Sequence, residues 1–267
     1  MLKTDPHPLP EPSVNGLRGA VAGWAGFFAA VLAAWAALWA MAQERAALAG
    51  LWGAELLAGL CAADAGAAPF AVLWAMWALM AGAMMAPTAV PAFATWVRLP
   101  AGGSGGLAGT LSLGAGYLAV WTIAAAGFAG VQAALAGLSL VAPDAASRSP
   151  VLTAGFLALA GVYQFSRLKT ACLSRCRRPL TFFMAEWRPG LRGSFRAGVL
   201  LGRDCLGCCW ALMGLAFVGG MASLVWMGLV MLLMAVEKLA WPGAALTRPL
   251  GWALLAASAV AATGGLG

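Results

Sequence analysis

The sequence predicts an all-α, polytopic transmembrane helix bundle of about seven spans, six to seven. Three observations predict it. Hydrophobic residues make up 63% of the chain and charged residues 9%, where a soluble domain is roughly a quarter charged. The apolar residues gather into runs near the ~20 residues that a bilayer core requires. Lysine and arginine fall mainly in alternate loops, the asymmetry that keeps basic loops in the cytoplasm.

In order along the chain, residues 1–17 ("MLKTDPHPLPEPSVNGL") read as a flexible N-terminal tail. Residues 18–267 read as a single transmembrane domain. Its first run, "AVAGWAGFFAAVLAAWAALWAMA" from 20, is too long for a signal peptide and is taken as a retained helix. The acidic, alanine-rich stretch 43–69 follows on the outer side, with a short surface helix as its expected form. Runs beginning at 70, 107 and 223 are also of spanning length, and "AGGSGG" at 101–106 is a flexible inner turn. Runs beginning at 151, 197 and 251 are weaker, being short, charged or terminal. With the N-terminus cytoplasmic, thirteen of the sixteen basic residues lie inside. Only Arg45 and Arg148 lie outside, and Arg203 stands at the boundary. The net charge of +7 thus reflects topology. A nucleic-acid partner would need a folded basic domain, which the sequence lacks; the expected partner is the lipid bilayer.

The informative stretch is the basic cytoplasmic loop, about 166–197. It holds eight basic residues with Cys172 and Cys176, four apart. If it is helical, both thiols share one face. The next span carries Cys205, Cys208 and Cys209 at i, i+3 and i+4, again one face. Five of the six cysteines therefore collect at one end of a loop-and-helix hairpin. Thiolates are soft ligands that suit Cu(I) first and Zn(II) next, and C-x3-C with C-x2-C-C approaches the paired grammar of thiolate sites. Lys169, Arg175, Arg177 and Arg178 are expected to lower the thiol pKa. A reducing cytosolic face argues against a permanent disulfide. Cys61, alone, reads as a small core hydrophobe.

Candidate supporting residues are Lys169, Asp204, Met84, Met85, Tyr163 and Glu237. Asp204, Glu237 and Lys238 stand near the inner boundary, where ion pairing with one another or with Lys169 is expected. Met84 and Met85 offer thioethers, although methionine in a membrane core is commonly packing. Tyr163 and Gln164 end the fourth span on the cysteine side. Pro87 and Pro91 free carbonyls in the second span. "GVLLG" at 198–202 is a small-xxx-small pattern that lets another helix approach the cysteine helix.

"MMAPTAVPAF" at 84, "YQFSRLKTACLSRCRRPL" at 163, "GVLLGRDCLGCCWALM" at 198 and "EK" at 237 resemble a bacterial family of predicted metal-binding integral membrane proteins. The resemblance covers about residues 70–250, with the motifs K-x2-C-x3-C-R and C-x-G-C-C-W. It implies a multi-pass protein of the bacterial inner membrane and points to Cys172, Cys176, Cys205, Cys208 and Cys209. Lys169 and Glu237 are family positions of unassigned role. Arg167 stands where the family commonly has proline, and Ser223 where it has asparagine.

The expected function is a cytoplasm-facing cysteine thiolate site that binds Cu(I) or Zn(II) for metal handling, relay or delivery. Two other readings fit the same residues: a subunit or assembly factor of a larger membrane complex, and a membrane thiol–disulfide oxidoreductase. Acid–base or hydrolytic enzyme chemistry finds no catalytic residues. The single histidine, His7, lies in the tail between prolines, and no nucleophile–base–orienter set is present.

Overall fold

The computed structural model describes residues 14–42, 69–99, 106–142, 144–221, 223–239 and 241–264. Residues 1–13 of the expected tail (1–17), most of the outer stretch (43–68, with Cys61) and most of the inner turn (101–105) lie outside the described residues, and residues 14–17 are helical. The described elements are helices: α1 (Val14–Ala42), α2 (Phe70–Arg98), α3 (Leu107–Gly137), α4 (Pro150–Tyr163), α5 (Arg167–Cys176), α6 (Pro179–Glu186), α7 (Gly190–Met213), the single turn α8 (Ala216–Gly219), α9 (Leu224–Glu237) and α10 (Trp241–Ala262). Among the described residues, extended pairing is limited to one isolated bridge, Val141 to Ser147.

Five helical stretches are long and apolar enough to cross a membrane: 23–40, 70–98, 107–137, 190–219 and 245–262. A sixth arises if α4 and α5, bent by 66° at their junction, count as one span. About seven spans, six to seven, were expected, and the remaining expected run is α9. It has 14 residues, about 21 Å at 1.5 Å per residue, against a hydrocarbon core of about 30 Å. The expected basic loop is itself largely helical, comprising α5, α6 and the first turns of α7. The cysteine helix therefore begins inside that loop rather than after it.

Local sequence explains these boundaries. Ser166 caps α5, its hydroxyl accepting the Lys169 N–H at 3.0 Å. Arg167 is then the first helical residue, the position where proline is tolerated, so the departure from the family pattern leaves the helix start intact. Ser223 caps α9 by accepting the Trp226 N–H. Serine and asparagine both cap well, so this departure also preserves its local role. Pro179 opens α6 at the same tolerated position.

The closest helix pair is α3 against α7, which cross nearly backbone to backbone. A Cβ on Gly198 would overlap the Leu113 carbonyl, and one on Gly116 would overlap the Phe195 carbonyl. A Cβ on Gly202 would stand 3.0 Å from the Tyr117 carbonyl. The small-xxx-small pattern thus receives α3. A second close pair joins α4 and α10 at Gly161 and Gly251, where Ser258 also donates to the Ala154 carbonyl at 2.8 Å. Small residues suit such crossings because lipid supplies no hydrophobic drive between helices, leaving packing to hold them. Pro87 and Pro91 do not break α2, which runs unbroken from 70 to 98. The Ala83 carbonyl, four residues before Pro87, accepts the Trp35 indole N–H from α1 at 3.1 Å.

Candidate functional site

Helix α7 carries Cys205, Cys208 and Cys209, all at least 97% buried. Their spacing puts them on one face, and α2, α3, α5 and α9 bring partners to that face. Cys208 is electrostatically linked to the thiols of Cys176, Cys205 and Cys209. Cys208 and Cys209 each donate to the Cys205 carbonyl, at 3.1 and 2.8 Å. Cys209 Sγ is 3.6 Å from the Met85 thioether on α2. Four thiols and one thioether are thereby gathered from three helices. All five cysteines among the described residues are free thiols.

Cys172 is not in that cluster. It packs over Gly207, where an added Cβ would lie 2.6 Å from its sulfur. It lines an open groove of about 1100 Å³ bounded also by Phe128, Leu168, Arg203 and Trp210. The two thiols of α5 thus face the same helix yet separate, Cys176 toward the cluster and Cys172 toward the groove. Met84 is buried in the hydrophobic core beside Met85. Among the described residues it makes no hydrogen bond to a thiol.

The other nominated residues hold the scaffold. Lys169, 1% exposed, donates to Glu237 at 2.8 Å and to the Cys208 carbonyl at 3.0 Å. Asp204 receives Arg175 at 3.1 Å and Arg203 at 3.0 Å, tying α5 to α7 on the groove side rather than touching the sulfur cluster. Glu186 receives Arg175 at 3.2 Å and Arg196 at 3.1 Å. Tyr163 donates its hydroxyl to the Gly207 carbonyl. Gln164 is buried, and among the described residues its side-chain amide has no hydrogen-bond partner.

The expected clustering of cations around the thiols is corrected in detail. Lys169 and Arg175 spend their charges on carboxylates, and Arg177 donates to the Glu237 carbonyl at 2.8 Å and to Thr247 at 3.3 Å. Burial lowers the Arg177 pKa from its ordinary value, the neighbouring Glu237 opposing that shift. Among the described residues, the cation in hydrogen-bonding contact with a thiol is Lys238, its Nζ 3.1 Å from Cys205 Sγ and 2.6 Å from Thr88 Oγ1. Tyr117 is the other residue that sequence reasoning did not nominate. Its hydroxyl is 3.1 Å from Cys205 Sγ and 3.3 Å from the Met85 carbonyl, to which it donates. The chain holds only two tyrosines, and both hydroxyls engage the 205–207 segment. That scarcity was the available signal.

The donor chemistry suits a soft ion, since thiol and thioether sulfur select Cu(I) over hard cations. Among the described residues, however, no three His, Cys, Asp or Glu side chains form a ready-made metal cage. The sulfurs are neighbours that bond one another and a carbonyl. Holding an ion would require proton loss from the thiols and rotation of their side chains.

Fold and site together define a class: an all-helical membrane protein with buried soft donors gathered at a helix crossing. A family model described as PpoB2, copper chaperone, matches residues 74–261. The chain therefore belongs to this copper chaperone family. Of the two ions expected, the family points to copper; zinc gains no support. No curated protein and no solved structure matches the chain.

Proposed function

We propose that this chain is a multi-pass copper chaperone of the bacterial inner membrane. In this reading it holds Cu(I) at the sulfur cluster of Cys176, Cys205, Cys208, Cys209 and Met85, and passes it on from the cytoplasmic end of one transmembrane domain. The observation that carries the reading is the packing of Cys205, Cys208 and Cys209 on one buried face of α7, with Cys209 Sγ 3.6 Å from the Met85 thioether. Each thiol that binds gives up its proton to water, and the thioether binds without losing one. The N-terminus lies in the cytoplasm, which puts the basic helices α5 and α6 on the reducing side. Cys172, in the open groove, is the thiol best placed for exchange with a recipient. A chaperone acts by supplying another protein, so the assembly-factor reading merges with this one.

The test is to purify the protein anaerobically in detergent, offer Cu(I) and count bound copper per chain. One tightly held ion is expected, with most of that binding lost in Cys205→Ser and Cys208→Ser. Unmutated protein that retains no copper would sink the reading. Alkylation trapping of the thiols in cells separates it from oxidoreductase chemistry, in which they would cycle through a disulfide.

A further inference from the structure

The side chain of Lys238 ends among sulfurs and hydroxyls. Its Nζ has Cys205 Sγ at 3.1 Å and Thr88 Oγ1 at 2.6 Å. Among the described residues it makes no ion pair with a carboxylate, whereas Lys169, Arg175, Arg196 and Arg203 each do. A fixed ammonium in low dielectric without a counter-charge is costly. An anion formed beside it when the site binds a metal would relieve that cost.

Three soft donors lie beside it. Cys205 touches Lys238 directly. Cys209, one turn along α7, faces the Met85 thioether at 3.6 Å. The Tyr117 hydroxyl links the group, touching both Cys205 Sγ and the Met85 carbonyl. Two of the donors become anionic on binding a metal, and the thioether stays neutral. With the neighbouring Cys176 and Cys208 thiols keeping their protons, copper(I) held by two thiolates and a thioether has one net negative charge, which the Lys238 ammonium cancels. Zinc(II) on the same donors is already neutral, so the ammonium leaves one uncompensated positive charge. Burying uncompensated charge is strongly unfavourable.

From this we infer that Lys238 is a specificity residue: its fixed charge, set against Cys205, makes the Cys205–Cys209–Met85 donor set prefer a monovalent over a divalent soft ion. The inference rests on the sulfur cluster being the copper site and assigns that site its charge selectivity.

The experiment compares unmutated protein, Lys238→Gln and Lys238→Arg, all purified anaerobically in detergent. Cu(I) and Zn(II) affinities are measured separately by competition with chromophoric chelators. Lys238→Gln is expected to weaken Cu(I) binding by about tenfold or more and to strengthen Zn(II) binding. Lys238→Arg is expected to retain the original preference. A residue that merely held the fold would move both metals in one direction. Cu(I) and Zn(II) affinities that fall together, or that both stay unchanged, therefore overturn the inference. So does an arginine variant that follows the glutamine one. Cys205→Ser and Cys209→Ser are measured in parallel. If they leave copper binding intact, or if the unmutated protein takes up none, the site reading fails and the inference with it. If they abolish binding while the Lys238 variants keep the metal preference, the inference alone fails.

Discussion

The Lys169 ammonium and the Glu237 carboxylate meet at 2.8 Å with side chains 1% and 2% exposed, and the same ammonium donates to the Cys208 carbonyl. This pair joins α5, α7 and α9 behind the sulfur cluster. Removing one partner of a buried pair strands the other charge and costs roughly 3–5 kcal/mol, while replacing both with apolar residues is far milder. Lys169→Met is expected to lower the melting temperature in detergent sharply, and Lys169→Met with Glu237→Leu to recover much of the loss. Equal loss in the single and double variants would contradict the pairing.

The α3–α7 crossing tolerates no side chain at its centre. Gly198→Ala is expected to destabilise the fold by about 1–3 kcal/mol or more through overpacking, read as reduced yield of monodisperse protein and a lower melting temperature. Gly130→Ala is the control, since nothing lies within 4 Å of a Cβ there, and it should leave stability unchanged or slightly raised.

Thiol exposure orders reactivity. Cys176 is half-buried, whereas Cys205, Cys208 and Cys209 are almost fully enclosed. A polar maleimide applied to native protein in detergent should label Cys176 and the groove-lining Cys172 before the α7 thiols, as located by peptide mass spectrometry. Rapid labelling of Cys205 or Cys209 would mean that the cluster is open to water.

Tyr117→Phe deletes a single hydroxyl from contact with Cys205 and the Met85 carbonyl. A hydrogen bond of that kind is worth about 0.5–1.5 kcal/mol net, so Cu(I) affinity should fall by about threefold to tenfold with the melting temperature little changed. A large drop in thermal stability would instead make Tyr117 chiefly a packing residue.

Much of this arrangement is legible in the sequence, and the limits have physical causes. Hydropathy locates the apolar helices because bilayer thickness imposes their length, but it cannot see which distant side chains meet Lys238 at the end of α9. The i, i+3, i+4 spacing puts Cys205, Cys208 and Cys209 on one face without any knowledge of the fold. The pairing of Lys169 with Glu237 is similarly foreseeable, because buried charges in an apolar chain have few choices. What periodicity does not carry is contact between distant segments. Tyr117 and Cys205 are 88 residues apart, and Lys238 and Thr88 are 150 apart. Nor does the matched spacing of Cys172 and Cys176 reveal their divergence, in which Cys172 alone of the two packs over Gly207.

The bond from Trp35 to the Ala83 carbonyl reaches across the boundary of the family match, which begins at residue 74. Pro87 removes the amide that would ordinarily claim that carbonyl, two residues before Met85. In hydrocarbon an unclaimed acceptor is expensive, so the helix carrying the thioether borrows its missing donor from outside the shared core. The first helix thereby acts as a prosthesis for a defect built into the second. A chain trimmed to the family segment would keep every sulfur of the cluster and still have to find another donor for the backbone beside them.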